Sequence, residues 1–223
     1  MARPKAPILN AQRIRATALA LVDRVGLEGF SMRKLAHELD VQAASLYSHY
    51  RTKEDLLADI ADEIMSGVDV SGFDTGDWRH GLTVWARSYR SALAAHPNLV
   101  PFIAAGPGRR TEALRRADAV HGGLIAAGWP ARHATMIGAS TKYLVVGAAT
   151  NSFARGFDDD VRVYRDRYPN LSQAHRLSEH AAAIDHESFE LALSAFLDGL
   201  TQLYASLVPG GHAQPPGSPE EGE

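Results

Sequence analysis

Apolar residues recur at helical spacing through almost the whole chain. Over 11–25, Ile14, Ala18, Leu21, Val22 and Val25 form one stripe, with Asn10 as an opening cap and Gly26 as a left-handed stop. Ser31 caps a second helix whose inner face is Met32, Leu35, Ala36 and Leu39. Asp40 follows at a position that calls for a left-handed residue, a conformation Asp tolerates better than most. Val41 turns back to the core, and a short third helix over about 43–50 offers Leu46, Tyr47 and Tyr50 for packing. Thr52 and Asp55 have capping-box spacing, with Asp in place of Glu, and start a fourth helix carrying Leu56, Leu57, Ile60 and Ile64 inward.

Residues 71–76 read as a loop. Beyond it the periodicity predicts helices over 78–95, 111–127 and 131–153, a short apolar piece over 101–105, a polar stretch over 156–170 and a last helix over 186–207. Phe189, Leu193, Phe196, Leu197, Leu200 and Leu203 are expected on the inner face of that last helix. No segment alternates like a strand, so the expected fold is all-α. A three-helix helix-turn-helix domain over 8–54 is joined by the fourth helix, about 52–68, to a larger body over 69–208. The tail 209–223 is rich in Gly, Pro and Glu and is expected to be disordered. The helices over 131–153 and 186–207 carry more apolar surface than one chain of this size readily hides, and Gly138, Ala139 and Gly147 permit close helix approach. A homodimer through these two helices of each subunit is expected; the alternative is burial within the chain's own body.

Charge changes the picture at one end only. Residues 1–53 hold nine Lys/Arg against four Asp/Glu, a balance of +5, which leaves −8 for the rest of a chain whose net charge is −3. A basic head on an acidic body suits a protein that lays one end on phosphates. The chain has no cysteine, which excludes disulfides and thiolate metal sites and fits a reducing cytoplasm. No signal-peptide pattern and no apolar run long enough to cross a bilayer is present, so a soluble cytoplasmic protein is expected, with no membrane partner.

Enzyme and metal chemistry find little support. The ten histidines show no His-Glu-x-x-His spacing, and His175, His180 and His186 do not share one helix face. Asp158-Asp-Asp is not a calcium loop, and neither a Gly-x-Ser-x-Gly elbow nor a phosphate-binding glycine loop occurs. No cofactor, no metal and no catalytic residue is expected.

The outward residues of the head carry the functional signal. Ala43 and Ala44 are small enough to let the third helix sit deep in the major groove and touch thymine methyls. Gln42 suits an adenine edge or a phosphate, and Ser45, Ser48 and His49 also face outward. Tyr47 and Tyr50 are candidates for core packing. Arg3 and Lys5 form either a minor-groove arm or a disordered start.

The run Arg33-Lys34-Leu35-Ala36, Leu39-x-Val41, Ser45-Leu46-Tyr47, His49-Tyr50 and Lys53-x-x-Leu56-Leu57 resembles the N-terminal domain of the TetR (tetracycline repressor) family without a gap. Trp78, Ser88-Tyr89, Ala92-Leu93, His96 and Phe189-Glu190 with Leu197-Asp198-Gly199-Leu200 resemble its C-terminal domain more loosely. The resemblance implies that Arg33 reaches a guanine and that Ser45, Tyr47, His49 and Lys53 hold phosphates. Asp40 stands where the family often has glycine, and Ser48 stands where the tetracycline repressor has a large aromatic residue, so the operator should differ.

The resemblance also implies an internal effector cavity walled by Trp85, Tyr89, Phe102, Ile103 and Tyr143, with Asn151 as a further contact and Asp69 coupling ligand to head. Ile103 and Gly106 occupy the places of the histidine and threonine that hold a magnesium–drug complex in tetracycline repressors. Trp85 and Tyr143 replace polar drug contacts. The expected effector is therefore metal-free and largely apolar or aromatic, not tetracycline. The function expected is a homodimeric repressor that binds a palindromic double-stranded operator and is released by such a molecule. The alternative is a helical small-molecule-binding dimer that has lost specific DNA binding.

Overall fold

The computed structural model describes residues 9–106, 110–150, 152–165 and 167–208. The head comprises α1 (Ala11–Gly29), α2 (Met32–Glu38) and α3 (Ala43–Tyr47), followed by the linking α4 (Lys53–Ser66). The body comprises α5 (Trp78–Ala95), α6 (Val100–Ala104), α7 (Thr111–Ala126), α8 (Ala131–Thr150) and α9 (Ala181–Leu207).

Local chemistry sets the head's boundaries. Asn10 Oδ1 accepts the Arg13 N–H at 2.8 Å, and Ser31 Oγ accepts the Lys34 N–H at 3.2 Å. Asp40 sits at φ +54°, and beyond it the Val41 N–H bonds the Ala36 carbonyl at 3.0 Å. That is the closing bond of a Schellman turn, with Asp in the place glycine usually takes. Thr52 and Asp55 complete a reciprocal capping box at 3.0 and 3.1 Å. Gly26 is left-handed (φ 73°), but it kinks α1 rather than ending it, and one more turn runs to Gly29. Val25 is consequently not part of the buried stripe. It lies 38% exposed over a shallow groove beside Lys34 and Glu38.

One continuous apolar core runs from Ile14 through Leu56, Ile60 and Leu82 to Leu193 and Leu197. Polar clamps pin α4 onto the head: the Tyr50 hydroxyl donates to Asp59 at 2.6 Å, and Arg15 pairs with Asp59 at 3.1 Å and with Glu63. The segment expected as a loop is a 3-10 turn over Ser71–Thr75. Its Phe73 ring fills a slot between α5 and α7 that only glycine leaves open. A Cβ added at Gly81 or Gly123 would stand 2.5 or 2.6 Å from that ring. Trp78, Trp129 and Tyr204 pack edge-to-face and tilted at centroid distances of 5.0–5.6 Å and lock the start of α5, the α7–α8 turn and the end of α9 together.

In the body, two further boundaries differ from the sequence reading. The helix expected over 131–153 ends at Thr150, and the last helix begins at Ala181, five residues earlier than expected. Between them runs a chain of short 3-10 turns, anchored by the buried Tyr164, whose hydroxyl accepts the Asp158 N–H at 2.6 Å. Leu203, expected inward, is 38% exposed together with Leu191 and Leu207 on α9 and Met136 and Tyr143 on α8.

Candidate DNA-reading head and effector cavity

Leu46 plugs α3 into the head's core, and this orientation turns Gln42, Ala44, Ser45, Tyr47, Ser48 and His49 to the surface. Ala43 is half-buried. Tyr47 is 51% exposed and so is not a core residue, whereas Tyr50 is buried. The Ser48 hydroxyl donates to the Ser45 carbonyl at 2.8 Å. Arg33 is exposed on α2 and makes no hydrogen bond or ion pair among the described residues, so its five donors are available to a base edge or phosphate. Glu38, the nearest acid on α2, is paired with Arg24 at 2.5 Å. Arg3 and Lys5 lie outside the described residues.

Lys53 stands apart from this surface. Its ammonium donates to the carbonyls of Leu27 at 2.9 Å and Phe30 at 3.0 Å and lies 5.4 Å from the centre of the Phe30 ring. Those bonds satisfy the open end of α1 and tie it to the start of α4. The expected phosphate contact is therefore a structural clamp in this conformation.

A partly open cavity of about 260 Å3 lies between α4, α5, α7 and α8. Trp85 and Tyr89, stacked at 6.1 Å, form one wall, and Ile103 and Met65 close it toward α6 and α4. Val120 lines α7, and Gly138 and Ala139 make room on α8. Of the residues expected in the wall, Trp85, Tyr89 and Ile103 are there. Phe102 is not; it packs half-buried beside the Arg110 guanidinium, 5.9 Å away. Tyr143 is also outside, 74% exposed, because the α8 positions that face α5 and α7 are Gly138, Thr141, Lys142 and Val145. Asp69 is exposed; its carboxylate accepts the Ser71 N–H at 2.8 Å, and its own N–H donates to Ser88 Oγ at 2.9 Å. Asn151 lies outside the described residues.

The sequence reading missed the cavity's cations. Arg110, Arg116 and Lys142 all line it. Burial lowers the pKa of each, and for Lys142 the nearby Arg110 charge adds to the effect. Two signals were present. Arg116 falls on the apolar stripe Ala113–Ala117–Val120–Leu124, and Lys142 is the lone cation in the apolar stretch from Ile137 to Val146. Among the described residues, no group of three or more His, Cys, Asp or Glu stands close enough to hold a metal.

The cavity and the head share one mechanical element. Met65 on α4 is cavity wall, and one turn earlier Asp62 reaches the start of α7. There its carboxylate accepts the Glu112 N–H at 2.9 and 3.1 Å and the Ala113 N–H at 3.1 Å. Arg110, at the N-cap position, supplies no side-chain cap, so Asp62 caps α7 from another helix. A second clamp joins body and head: Asn98 donates to the Val22 and Asp23 carbonyls, and His96 Nδ1 lies 2.9 Å from Asp23.

Comparison with known proteins places these two parts together. Residues 14–60 match the family described as bacterial regulatory proteins, tetR family, and residues 73–204 match the tetracyclin repressor-like C-terminal domain. The chain is 33% identical to the class A tetracycline repressor of Escherichia coli, over 87% of this chain and 91% of that protein. It is 31% identical to an HTH-type transcriptional regulator of Saccharopolyspora erythraea over 65% of this chain, a match that spans 61% of that relative's length. In structure it resembles a possible TetR family transcriptional regulator from Streptomyces coelicolor A3(2) (TM-score 0.72, 29% identity, 87% of this chain and 100% of that one). It also resembles the Streptomyces coelicolor TetR family protein ActR in complex with actinorhodin (TM-score 0.65, 26% identity, 88% and 98%). The chain belongs to the TetR family of bacterial transcriptional regulators.

Proposed function

We propose that the protein is a homodimeric repressor that binds a near-palindromic operator and is released when a small molecule fills the cavity above α4. The observation that carries this reading is the double role of α4. One turn of it walls the cavity through Met65 and caps α7 through Asp62, while its first turn is bolted to the DNA head through Lys53. A ligand that displaces α7 or Met65 must move the head, and two heads must keep one spacing to reach both half-sites.

Base reading falls to Arg33, Gln42, Ala43 and Ala44. Ser45, Tyr47 and His49 face the flanking phosphates, while Ser48 stays with the base-reading face. Dimerisation uses the exposed apolar faces of α8 and α9, where Met136, Tyr143, Leu191, Leu203 and Leu207 stand uncovered. The large tyrosine at 143 is thus an interface residue rather than a pocket residue. The work is done in the cytoplasm. The described residues include no helix long and apolar enough to cross a membrane.

The test is release. Compounds that perturb tryptophan fluorescence in the native protein but not in a Trp85→Phe variant are titrated against the protein bound to a labelled operator duplex, and anisotropy is followed. Cavity ligands should lower operator affinity. Ligands that occupy the cavity and leave operator affinity unchanged would refute the reading.

A further inference from the structure

The cavity presents a chemical demand that its aromatic walls hide. Arg116 is only 7% exposed, and its Nε and Nη2 atoms are buried with no hydrogen-bond partner among the described residues. Among the described residues, the Lys142 ammonium makes a single hydrogen bond, to the Ala104 carbonyl at 3.2 Å. Both side chains line the cavity, together with Arg110. Among the described residues, no carboxylate lines it. The two nearest acids act on Arg116 through space but do not bond it: Asp62 caps α7, and Glu112 pairs with Arg115 at 3.1 Å. A buried guanidinium with open donors costs stability unless something completes it. Arg116 and Lys142, facing one largely apolar space, therefore describe half of an ion pair.

We propose that the ligand of this cavity is an amphipathic anion, an aromatic or alicyclic ring system bearing a carboxylate, with the carboxylate seated on Arg116 and Lys142. Arg116 offers a planar fork that matches a carboxylate with two parallel bonds, and Lys142 adds a point charge from the facing helix. The ring lies against Trp85, Tyr89 and Ile103, whose apolar faces line the rest of the space. The proposal rests on the reading of this cavity as the effector site and narrows the expected effector: apolar in its body, charged at one end.

The anion has a mechanical consequence. Arg116 lies one turn along α7 from the Glu112 and Ala113 amides that Asp62 caps. A ligand carboxylate drawing Arg116 toward the cavity pulls on the helix whose start holds α4.

The experiment uses the full chain and two probes of equal shape, 2-naphthoate and 2-naphthamide, titrated by calorimetry at neutral pH and low salt. The native protein should bind the acid about tenfold or more tighter than the amide, since only the acid completes the charged fork. Arg116→Met keeps much of the aliphatic bulk and removes the charge; it should bring the two affinities together without weakening the amide. Lys142→Met should narrow the gap in part, and it gives an independent reading if the first variant folds poorly. Equal affinities in the native protein, no binding of either probe, or an acid preference that survives both substitutions would overturn the proposal. Operator anisotropy separates this from the functional reading. An acid that binds through Arg116 yet leaves operator affinity unchanged upholds the anion site and overturns the effector role.

Discussion

Asp62 offers the sharpest test of how cavity and head are joined. Its carboxylate receives two backbone N–H groups, from Glu112 and Ala113, at the start of a helix that has no cap of its own. Asp62→Ala orphans both donors. Loss of such a cap costs about 0.5–2 kcal/mol, with the upper end favoured where the acceptor is charged. The substitution also removes a negative charge that acts on Arg110 and Arg116, so the loss should fall near 2 kcal/mol. For a domain of this size that is a fall in Tm of roughly 4–8 °C, read by circular dichroism at fixed protein concentration because the dimer contributes. Asp62→Asn keeps one acceptor oxygen and should lie between the two. The same variants should hold operator in the absence of effector but respond weakly to it, because α4 is no longer tied to α7. An alanine variant within about 0.5 kcal/mol of the native protein, the scatter of an ordinary surface change, would refute the reasoning. So would an asparagine variant that loses as much as alanine.

Three further outcomes follow from the packing. Arg33→Ala should weaken operator binding by about 1–3 kcal/mol with no change in Tm, whereas Lys53→Ala should lower both, because Lys53 holds the Leu27 and Phe30 carbonyls; paired melting and anisotropy curves separate the two. Gly81→Ala should destabilise by about 1–3 kcal/mol, since its new methyl meets the Phe73 ring at 2.5 Å, and Phe73→Leu in the same chain should recover part of the loss in a thermal scan. Leu191→Glu, on a residue 73% exposed in the single chain, should leave the fold's circular dichroism intact and shift sedimentation toward the monomer.

The head was legible because its elements are specified by short-range chemistry. Asn10, Ser31, Thr52 and Asp55 each bond a neighbour within three residues, and Asp40 takes the left-handed turn its position demanded. The cavity was legible only in part. Trp85, Tyr89 and Ile103 stand in its wall, but which face of α8 turns inward depends on α5 and α7, and a helix apolar nearly all round offers no stripe to choose by. Tyr143 was misplaced for that reason. Arg116 and Lys142 were visible as charges on apolar stripes; their meaning required knowing that no described carboxylate lines the cavity or bonds the Arg116 Nε and Nη2. Asp62 reaches α7 across some fifty residues of chain, and the inward turn of Lys53 depends on carbonyls 23 and 26 residues away, distances at which periodicity is silent.

The most direct measurement is selection of bound sequences from a random duplex pool by the purified full-length protein at physiological salt. The account predicts one enriched near-palindrome, with half-sites about one helical turn or a multiple apart and an affinity that falls steeply with added salt. A folded, dimeric protein that enriches no sequence would contradict it.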